Sequence, residues 1–320
     1  MKAIQVHNFG SPEVMKVEEI PDLVPGPNQL KIEVKAIGIN PVDTYIRAGI
    51  YPIKPELPFT PGKDAAGIVT EVGSAVSHRK IGDRIYVCGC PSGSYGQQLV
   101  CDEDQAYILP DNIEFSAGAA LGVPYSTAYF ALNFRAHALP GETLLIHGAS
   151  GSVGIAAIQI AKAKGLRVIG TAGTEQGLEL IKSQGVIAAL NHREEGYLDA
   201  LEELTCGQGV DVILEMLANV NLDADLKALA KFGRVVVVGN RGRIEIDPRD
   251  TMGKNASILG ITLFNVDAKT MNQIHAAVKA GLIDGRYKAV IHTELPLAEA
   301  PKAHELVMQE GIYGKIILIP

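Results

Sequence analysis

Three glycines, Gly148, Gly151 and Gly154, lie between a short apolar run and a segment rich in alanine and isoleucine. This order of residues predicts a strand, a tight turn and a helix. In such a turn, main-chain N–H groups and the positive end of the helix dipole can reach an anionic pyrophosphate, because glycine has no side chain to obstruct it. The stretch therefore predicts a nucleotide-binding site.

One position departs from the usual Gly-x-Gly-x-x-Gly spacing, since Ala149 stands where the first glycine is expected. Alanine does not adopt a positive φ without strain, so the turn either keeps φ negative there or moves its tight bend to Gly148. We assign Gly151 to the approach of the phosphates and Gly154 to the packing of the helix on the strand. An ordinary strand-to-helix turn also uses glycine, so the motif needs support from its surroundings.

The segments around this turn alternate between strand and helix. Further strands are predicted at 166–170, 188–190, 210–214, 234–238 and 257–262, and helices at 175–184, 197–205, 222–230, 269–280 and 302–309. Strands at this spacing with helices between them are joined by parallel crossovers. We therefore expect a doubly wound sheet with helices on both faces.

Residues 1 to 110 have a different texture, with short strands separated by turns that contain proline and glycine. Apolar and polar residues alternate over 30–36, which is typical of a half-buried strand, and further strands are predicted at 67–72, 83–87 and 96–100. The pattern predicts a small barrel-like β domain. We expect a last strand at 314–318 to rejoin it.

A short polar helix is predicted to leave this β domain. Asn40 is suited to cap it, Pro41 to occupy its first position and Gly49 to end it. The helix would bring together four polar or aromatic side chains, with Tyr51 just beyond: Asn40, Asp43, Tyr45 and Arg47. A capped surface helix without a catalytic role is the alternative interpretation.

Composition limits the classes of function. The net charge of −7 argues against a broad surface for nucleic acid or anionic membrane, both of which need clustered Lys and Arg. We expect a cytoplasmic protein, because no basic region followed by a long apolar segment is found near the first residues and no apolar run has membrane-spanning length. The cysteines are too few for a disulfide framework and are expected to be reduced thiols: Cys88, Cys90, Cys101 and Cys206.

Over essentially its whole length the sequence resembles the medium-chain dehydrogenase/reductase superfamily, and within it the quinone oxidoreductases of the zeta-crystallin type. The motifs that carry the resemblance lie at 40–47, 61–67, 147–151, 170–174, 191–193, 215–222 and 248–252. One departure is that Ser152 stands where the family has a second glycine after Gly151.

The resemblance implies an α/β fold with two domains. A GroES-like β-barrel-type catalytic domain would comprise 1–122 and 263–320, and a Rossmann NADPH-binding domain with a doubly wound parallel sheet would comprise 123–262. It also implies an active site in the cleft, NADPH as electron donor, a quinone as acceptor, and a homodimer or tetramer joined through the nucleotide domains.

The resemblance also bears on metal binding. Zinc-dependent relatives have a cysteine at the position of Asn40 and Gly-His-Glu at the positions of Gly62, Lys63 and Asp64. Since catalytic zinc needs about three thiolate, imidazole or carboxylate ligands, we predict a reaction without a metal.

The choice of NADPH has independent support. An NAD site has a carboxylate about 20 residues beyond the glycine motif to bind the ribose 2′-hydroxyl. This chain has Thr171, Ala172 and Gly173 there, so a 2′-phosphate would not be repelled, and His192, Arg193 or Arg241 can supply donors to it. Related bacterial enzymes use a lysine at the position of Gly177, which leaves the strength of the preference open.

The resemblance assigns cofactor contacts to individual residues. The pyrophosphate would be held by Ser150, Gly151, Ser152 and Val153; the phosphorylated ribose by Gly173 and His192; the nicotinamide half by Asn221, Val238, Gly239, Asn240 and Arg241, flanked by Ile261, Thr262 and Leu263; and Tyr45 would reach the cofactor from the catalytic domain. Without the resemblance, His192 is a surface loop residue, Arg241 a solvated turn residue and His147 a core strand histidine.

Quinone reduction asks little of side chains, because the nicotinamide supplies the electrons. We expect Tyr45 and Tyr51 to line the acceptor pocket, and Asn40 and Thr127 to donate hydrogen bonds to a carbonyl oxygen that gains charge. Two alternatives remain open at this point. One is an NADPH-dependent alkenal or enone double-bond reductase of the same fold, and the other is an NADPH-binding structural or RNA-binding protein.

Overall fold

The computed structural model describes all residues from 1 to 320. The chain divides into two compact units, one made of Met1–Pro124 and Ala268–Pro320 and the other of Tyr125–Asp267. No helix combines the length and the apolar character needed to cross a membrane.

The elements are numbered in chain order. The strands are β1 (Lys2–Val6), β2 (Met15–Glu19), β3 (Gln29–Gly38), β4 (Asp64–Val72), β5 (Arg84–Cys88), β6 (Gln98–Asp102), β7 (Ala106–Ile108), β8 (Thr143–Ile146), β9 (Arg167–Ala172), β10 (Ala188–Asn191), β11 (Val210–Glu215), β12 (Leu229–Val237), β13 (Ser257–Gly260), β14 (Ile291–Pro296) and β15 (Lys315–Ile319). The α-helices are α1 (Pro41–Ala48), α2 (Phe115–Ala119), α3 (Gly122–Tyr129), α4 (Ser152–Lys164), α5 (Glu175–Ser183), α6 (Ala200–Leu204), α7 (Ala218–Ala228), α8 (Arg249–Met252), α9 (Ala268–Ile283) and α10 (Ala300–Leu306).

The first unit is built on a seven-stranded sheet in the order β14-β15-β3-β4-β5-β7, with β6 also paired to β3. Its strands are antiparallel except for the β14–β15 pair. The apolar positions of β3, such as Leu30 and Ile32, are fully buried in the core of this unit, as their alternation predicts. Because β15 pairs with β3, the prediction that the last strand rejoins the first domain is confirmed.

Helix α1 has the predicted ends. Pro41 is its first residue, and the N–H of Asn40 donates to Oδ2 of Asp43 at 2.9 Å, which satisfies the backbone at the start. Gly49 ends the helix in the left-handed conformation with φ of 74°. Three side chains of this helix are buried, namely Asp43, Thr44 and Arg47, so the helix packs one face against the first unit.

The second unit contains a six-stranded parallel sheet in the order β10-β9-β8-β11-β12-β13. This is the strand order of a doubly wound dinucleotide-binding fold, in which ligands bind at the carboxyl ends of the strands near β8 and β11. Leu145, Ile169, Ile213 and Val235 form the middle of its core and are fully buried. The predicted doubly wound sheet is confirmed.

Several predicted boundaries differ from the observed ones. The helix expected at 222–230 begins at Ala218 and ends at Ala228, and Leu229 and Ala230 already belong to β12. A short apolar pair fits a buried strand as well as a helix, so its periodicity does not place it. The helix expected at 197–205 is a 3₁₀ turn followed by α6, and strands β2, β7 and β14 were not predicted.

Candidate functional site

The glycine turn after β8 has its tight bend at Gly148, where φ is 57°, while Ala149 keeps a negative φ. The turn thus combines the two solutions that the sequence allows, a bend at Gly148 and a negative φ at Ala149. A Cβ at Gly154 would lie 2.5 Å from Cα and from the carbonyl oxygen of Ala149, so only glycine lets helix α4 pack this closely on the turn. The predicted role of Gly154 in packing is therefore supported by the geometry.

Gly151 lies at the open start of α4. A Cβ there would approach only the carbonyl oxygen of Gly148, at 3.4 Å, and no side chain of the protein caps the helix. The first-turn N–H groups of Ser152 and Val153 thus lie at the positive end of a helix of 13 residues. Together with half-buried Ser150, this arrangement fits an anionic pyrophosphate.

The end of β9 carries the groups predicted for the phosphorylated ribose. A Cβ at Gly173 would lie 2.5 Å from Nε2 of His192 and 3.0 Å from Nε of Arg193, so the bare backbone brings two nitrogen-bearing side chains against the strand end. Both side chains are exposed, and residues 171–173, at and just beyond the end of β9, include no acid. This donor set fits a 2′-phosphate better than a free 2′-hydroxyl.

Thr171 links the two halves of this site. Its Oγ1 accepts a hydrogen bond from the N–H of Gly148 at 3.2 Å and lies 3.3 Å from Nδ1 of His192. The side chain of Thr174 caps the next helix, α5, by accepting from the N–H of Gly177 at 3.1 Å. The glycine turn and the predicted ribose site are therefore held in one hydrogen-bonded arrangement.

The residues predicted for the nicotinamide half meet at the ends of β11 and β12. A Cβ at Gly239 would lie 2.2 Å from the carbonyl oxygen of Met216, so the two strand ends touch through backbone alone. Nδ2 of Asn221 donates to Oε1 of Glu215 at 3.2 Å, and the N–H of Arg241 donates to Oδ1 of Asn219 at 2.8 Å. These contacts fix the loop that contains the remaining predicted residues, Val238 and Asn240.

The neighbouring segment 261–263 continues the line of β13. The N–H of Ile261 donates to the carbonyl oxygen of Val237 at 3.3 Å, and Thr262 caps a 3₁₀ turn that begins at Leu263. All three residues are half-buried. Their predicted position beside the nicotinamide stays a prediction, and so does a contact from the exposed side chain of Arg241.

A buried cluster beneath this loop was not predicted as part of the site. Nε2 of His147 lies 2.7 Å from Oδ1 of Asp225 and 3.5 Å from Oε2 of Glu215, and none of the three residues is more than 3% exposed. Burial raises the pKa of both carboxyl groups to about 7 and lowers the pKa of His147. The signal in the sequence was an acid, Glu215, directly after the apolar residues 212–214 at the end of β11.

In the first unit, the predicted residue Asn40 belongs to a buried ionic cluster. Its Nδ2 donates to Oδ2 of Asp64 at 2.9 Å, and Nζ of Lys315 donates to Oδ1 of Asn40 at 2.6 Å and to Oδ2 of Asp64 at 2.9 Å. Asn40 is 2% exposed and the other two side chains are less so. Asn40 is therefore tied to both other members of the cluster, and its predicted role as a donor to a substrate carbonyl stays a prediction.

The same cluster tests whether a zinc ion fits. By the resemblance described above, Asn40, Lys63 and Asp64 stand where zinc-dependent relatives would have a cysteine, a histidine and a glutamate. The ammonium group of Lys315 already hydrogen-bonds to the oxygens of Asn40 and Asp64. One amide oxygen and one carboxylate oxygen, both already bonded to an ammonium group, do not provide the three ligands that catalytic zinc needs, so these residues do not fit the metal.

The remaining residues predicted for the acceptor pocket are two tyrosines and a threonine. Tyr45 lies on α1, and its carbonyl oxygen accepts from the N–H groups of Ile50 at 3.1 Å and of Tyr51 at 3.3 Å. Both tyrosines are half-buried and close along the chain. Thr127 lies on α3 and is 7% exposed, and its role as a donor stays a prediction.

Behind α1, a buried network holds the helix in place. The hydroxyl of Tyr95 donates to Oδ2 of Asp43 at 3.2 Å and lies 2.9 Å from Nε2 of His304. Burial raises the pKa of Asp43 to about 6 and lowers that of His304 to about 3, so His304 is neutral at physiological pH. The network fixes the position of Tyr45 on the same helix.

Comparison with known proteins places this arrangement in a family. The alcohol dehydrogenase GroES-like domain family matches residues 26–128, and the zinc-binding dehydrogenase family matches residues 152–280. The chain is 48% identical to the quinone oxidoreductase of Sus scrofa and 46% identical to that of Homo sapiens, in each case over 100% of this chain and 98% of the relative.

A solved structure gives the same result for the fold. The crystal structure of Escherichia coli quinone oxidoreductase complexed with NADPH superimposes with a TM-score of 0.92 at 33% identity, covering 100% of both chains. The expected GroES-like and Rossmann folds are thereby confirmed. The chain belongs to the quinone oxidoreductase family of the medium-chain dehydrogenases/reductases.

Proposed function

We propose that this protein is an NADPH-dependent quinone oxidoreductase. The observation that carries the proposal is that two glycines of the second unit leave the backbone open where the phosphates of the cofactor would bind. Gly151 opens the start of α4 to a pyrophosphate, and Gly173 brings His192 and Arg193 against the end of β9, where no acid is present. Full-length identity of 46–48% to mammalian quinone oxidoreductases supports the same activity.

The cofactor supplies the reducing electrons when it is bound. The residues of this chain orient it. The pyrophosphate would be held by Ser150, Gly151, Ser152 and Val153. The phosphorylated ribose would be held by Gly173 and His192. The nicotinamide half would be held by Asn221 and the loop from Val238 to Arg241, beside 261–263. The helix dipole of α4 and the two side chains beside Gly173 complement the negative charge of the phosphates.

On the acceptor side, we assign the walls of the quinone site to Tyr45 and Tyr51, since α1 is held rigidly by Asp43, Tyr95 and His304. Aromatic rings offer a flat apolar surface that matches a quinone ring. Asn40 acts by anchoring α1 to Asp64 and Lys315, and Thr127 remains the candidate donor to the acceptor oxygen.

The resemblance to the family also supports a proposal for the organisation of the whole protein. We propose a catalytic domain of 1–122 and 263–320, a nucleotide domain of 123–262, a cytoplasmic location, and a homodimer or tetramer. A reduced quinone can take its protons from water, so no step requires a metal.

The activity is tested by following NADPH oxidation with 1,2-naphthoquinone, 1,4-benzoquinone and an alkenal, with NADH as a control. We expect turnover of the quinones with NADPH and little with the alkenal. Turnover of the alkenal alone would overturn the quinone assignment in favour of a double-bond reductase. Absence of turnover together with RNA retention that NADPH competes away would favour a binding role.

A further inference from the structure

The three side chains His147, Glu215 and Asp225 form a closed group inside the nucleotide-binding unit, here called the carboxyl cluster. Glu215 and Asp225 are fully buried, and His147 bridges them through Nε2, at 2.7 Å from Asp225 Oδ1 and 3.5 Å from Glu215 Oε2. The residues come from the ends of β8 and β11 and from α7. The cluster therefore lies where the sheet meets the predicted cofactor site.

Two oxygens of the carboxyl cluster lack a protein donor. Oε2 of Glu215 and Oδ2 of Asp225 are buried without a hydrogen-bond partner. Two adjacent carboxylates that are both ionised would repel each other in a medium of low dielectric constant. A proton held between the two carboxyl groups removes both difficulties, because one group then donates to the other.

The geometry favours a proton over a metal ion at this point. The three ligand atoms lie within 4.8 Å of one another. Two ligands of a tetrahedral zinc ion stand about 3.4 Å apart when each bond is about 2.0–2.2 Å. The 2.7 Å separation between His147 Nε2 and Asp225 Oδ1 is that of a direct hydrogen bond.

Glu215 connects the carboxyl cluster to the loop assigned to the nicotinamide. Its Oε1 accepts hydrogen bonds from the N–H of Leu217 and from Nδ2 of Asn221. The N–H groups of Val238 and Gly239 donate to its carbonyl oxygen at 2.8 and 3.2 Å. Glu215 is thus a positioning residue whose charge lies directly behind the nicotinamide loop.

We propose that the carboxyl cluster of His147, Glu215 and Asp225 holds an exchangeable proton whose loss favours NADP⁺ over NADPH in the adjoining site. The nicotinamide ring is cationic in NADP⁺ and neutral in NADPH, so a buried negative charge beneath it stabilises the oxidised form selectively. The proton lost from the cluster goes to solvent. This inference rests on the proposed cofactor site.

The electrostatics of the carboxyl cluster place the loss of its proton near neutral pH. Burial raises the pKa of Glu215 to about 7 and that of Asp225 to about 7. The titratable groups that face Glu215 are His147, Asp225 and Tyr197, whose ring packs edge-on against His147 with centroids 6.4 Å apart. Burial lowers the pKa of His147 and raises that of Tyr197 to about 12, so the group that loses a proton near neutral pH is the carboxyl pair.

The test measures dissociation constants of NADP⁺ and NADPH by calorimetry at about pH 6 and about pH 8, a range that brackets the pKa of the pair. Both nucleotides carry the same 2′-phosphate, so its titration cancels in the ratio of the two constants. We expect the affinity of NADP⁺ relative to NADPH to rise about fivefold between these pH values, the lower end of ordinary coupling between sites.

Variants separate the cluster from other causes. Glu215→Gln keeps an oxygen that accepts hydrogen bonds from Leu217 and Asn221 but removes the charge. The ratio of the NADP⁺ and NADPH dissociation constants should therefore become independent of pH. Asp225→Asn should move the change in the affinity ratio out of the range from about pH 6 to about pH 8. Asp223→Asn is the matched control on the same helix, because the side chain of Asp223 is partly exposed and pairs with Lys227, and this variant should behave like the wild type.

A ratio that stays constant with pH in the wild type, while both nucleotides bind, would overturn this inference and leave the proposed function standing. The same holds for an unchanged dependence in Glu215→Gln. The wild-type measurement decides even if a variant does not fold. Failure of both nucleotides to bind at either pH would overturn the proposed function and the inference with it.

Discussion

At the scale of single residues, the contacts that the sequence did not predict are mainly those between buried charged side chains. Lys315 lies 275 positions from Asn40 along the chain, yet its ammonium group joins Asn40 and Asp64. The sequence shows that Asn40 and Asp64 replace the residues expected of zinc-dependent relatives, but it does not show that a distant lysine hydrogen-bonds with both of them. That contact depends on β15 pairing with β3.

Lys315→Met should lower the free energy of unfolding by about 3–5 kcal/mol, because it leaves the fully buried carboxylate of Asp64 without its partner. Urea unfolding measures the change. Lys302→Met is the matched control, since Lys302 pairs with Glu299 at the exposed surface, and it should have little effect. Addition of Asp64→Asn to Lys315→Met should restore part of the loss, and a double variant as unstable as the single one would contradict this explanation.

Glu215→Gln should change how stability depends on pH. The folded pKa of Glu215, about 7, is above its ordinary value of 4.5, so the contribution of this group to stability is complete below about 4.5 and is lost as pH rises to about 7. Glutamine does not titrate. The unfolding midpoint of the variant should therefore rise relative to the wild type between those pH values, as measured by thermal denaturation at a series of pH values, and a constant difference would show that Glu215 is not buried with a raised pKa.

At the scale of elements, the sequence predicted helix and strand boundaries correctly where a local pattern is compatible with only one structure. Pro41 and Gly49 set the two ends of α1, and the glycine turn set the start of α4. Local patterns were insufficient around Leu229, where a short apolar pair suits both helix and strand, and where Phe232 adopts a positive φ of 62° inside β12. Such a conformation is imposed by tertiary packing and has no signature in the sequence.

Two substitutions in the turn before α4 should have opposite consequences. Gly151→Ala fits the folded protein, because the added Cβ meets nothing closer than 3.4 Å, but it obstructs the phosphates and should weaken NADPH binding about tenfold. Gly154→Ala forces Ala149 and the helix apart, so it should lower the unfolding midpoint. Binding titration and thermal denaturation of both variants check this pattern, and an equal loss of stability in both would contradict it.

At the scale of the whole molecule, the sequence predicted the fold class and the family, because motifs at known spacing recur along the entire chain. Chemistry that relies on pairs of distant residues was not accessible in this way. His147 was identified as a core histidine, and the structure confirms its burial, but its contact with Asp225 depends on how α7 packs on β11 and β12. None of the four cysteines forms a disulfide bond, and burial raises the pKa of Cys90 to about 12, which disfavours the reactive thiolate.

The most direct test of the account is a comparison of the dissociation constants of NADPH and NADH for the purified protein. Because the end of β9 offers no acid and places His192 and Arg193 beside Gly173, we predict that NADPH binds at least about tenfold more tightly than NADH. Removal of both side chains in His192→Ala/Arg193→Ala should reduce that preference. Equal affinities, or tighter binding of NADH by the wild-type protein, would contradict the central claim.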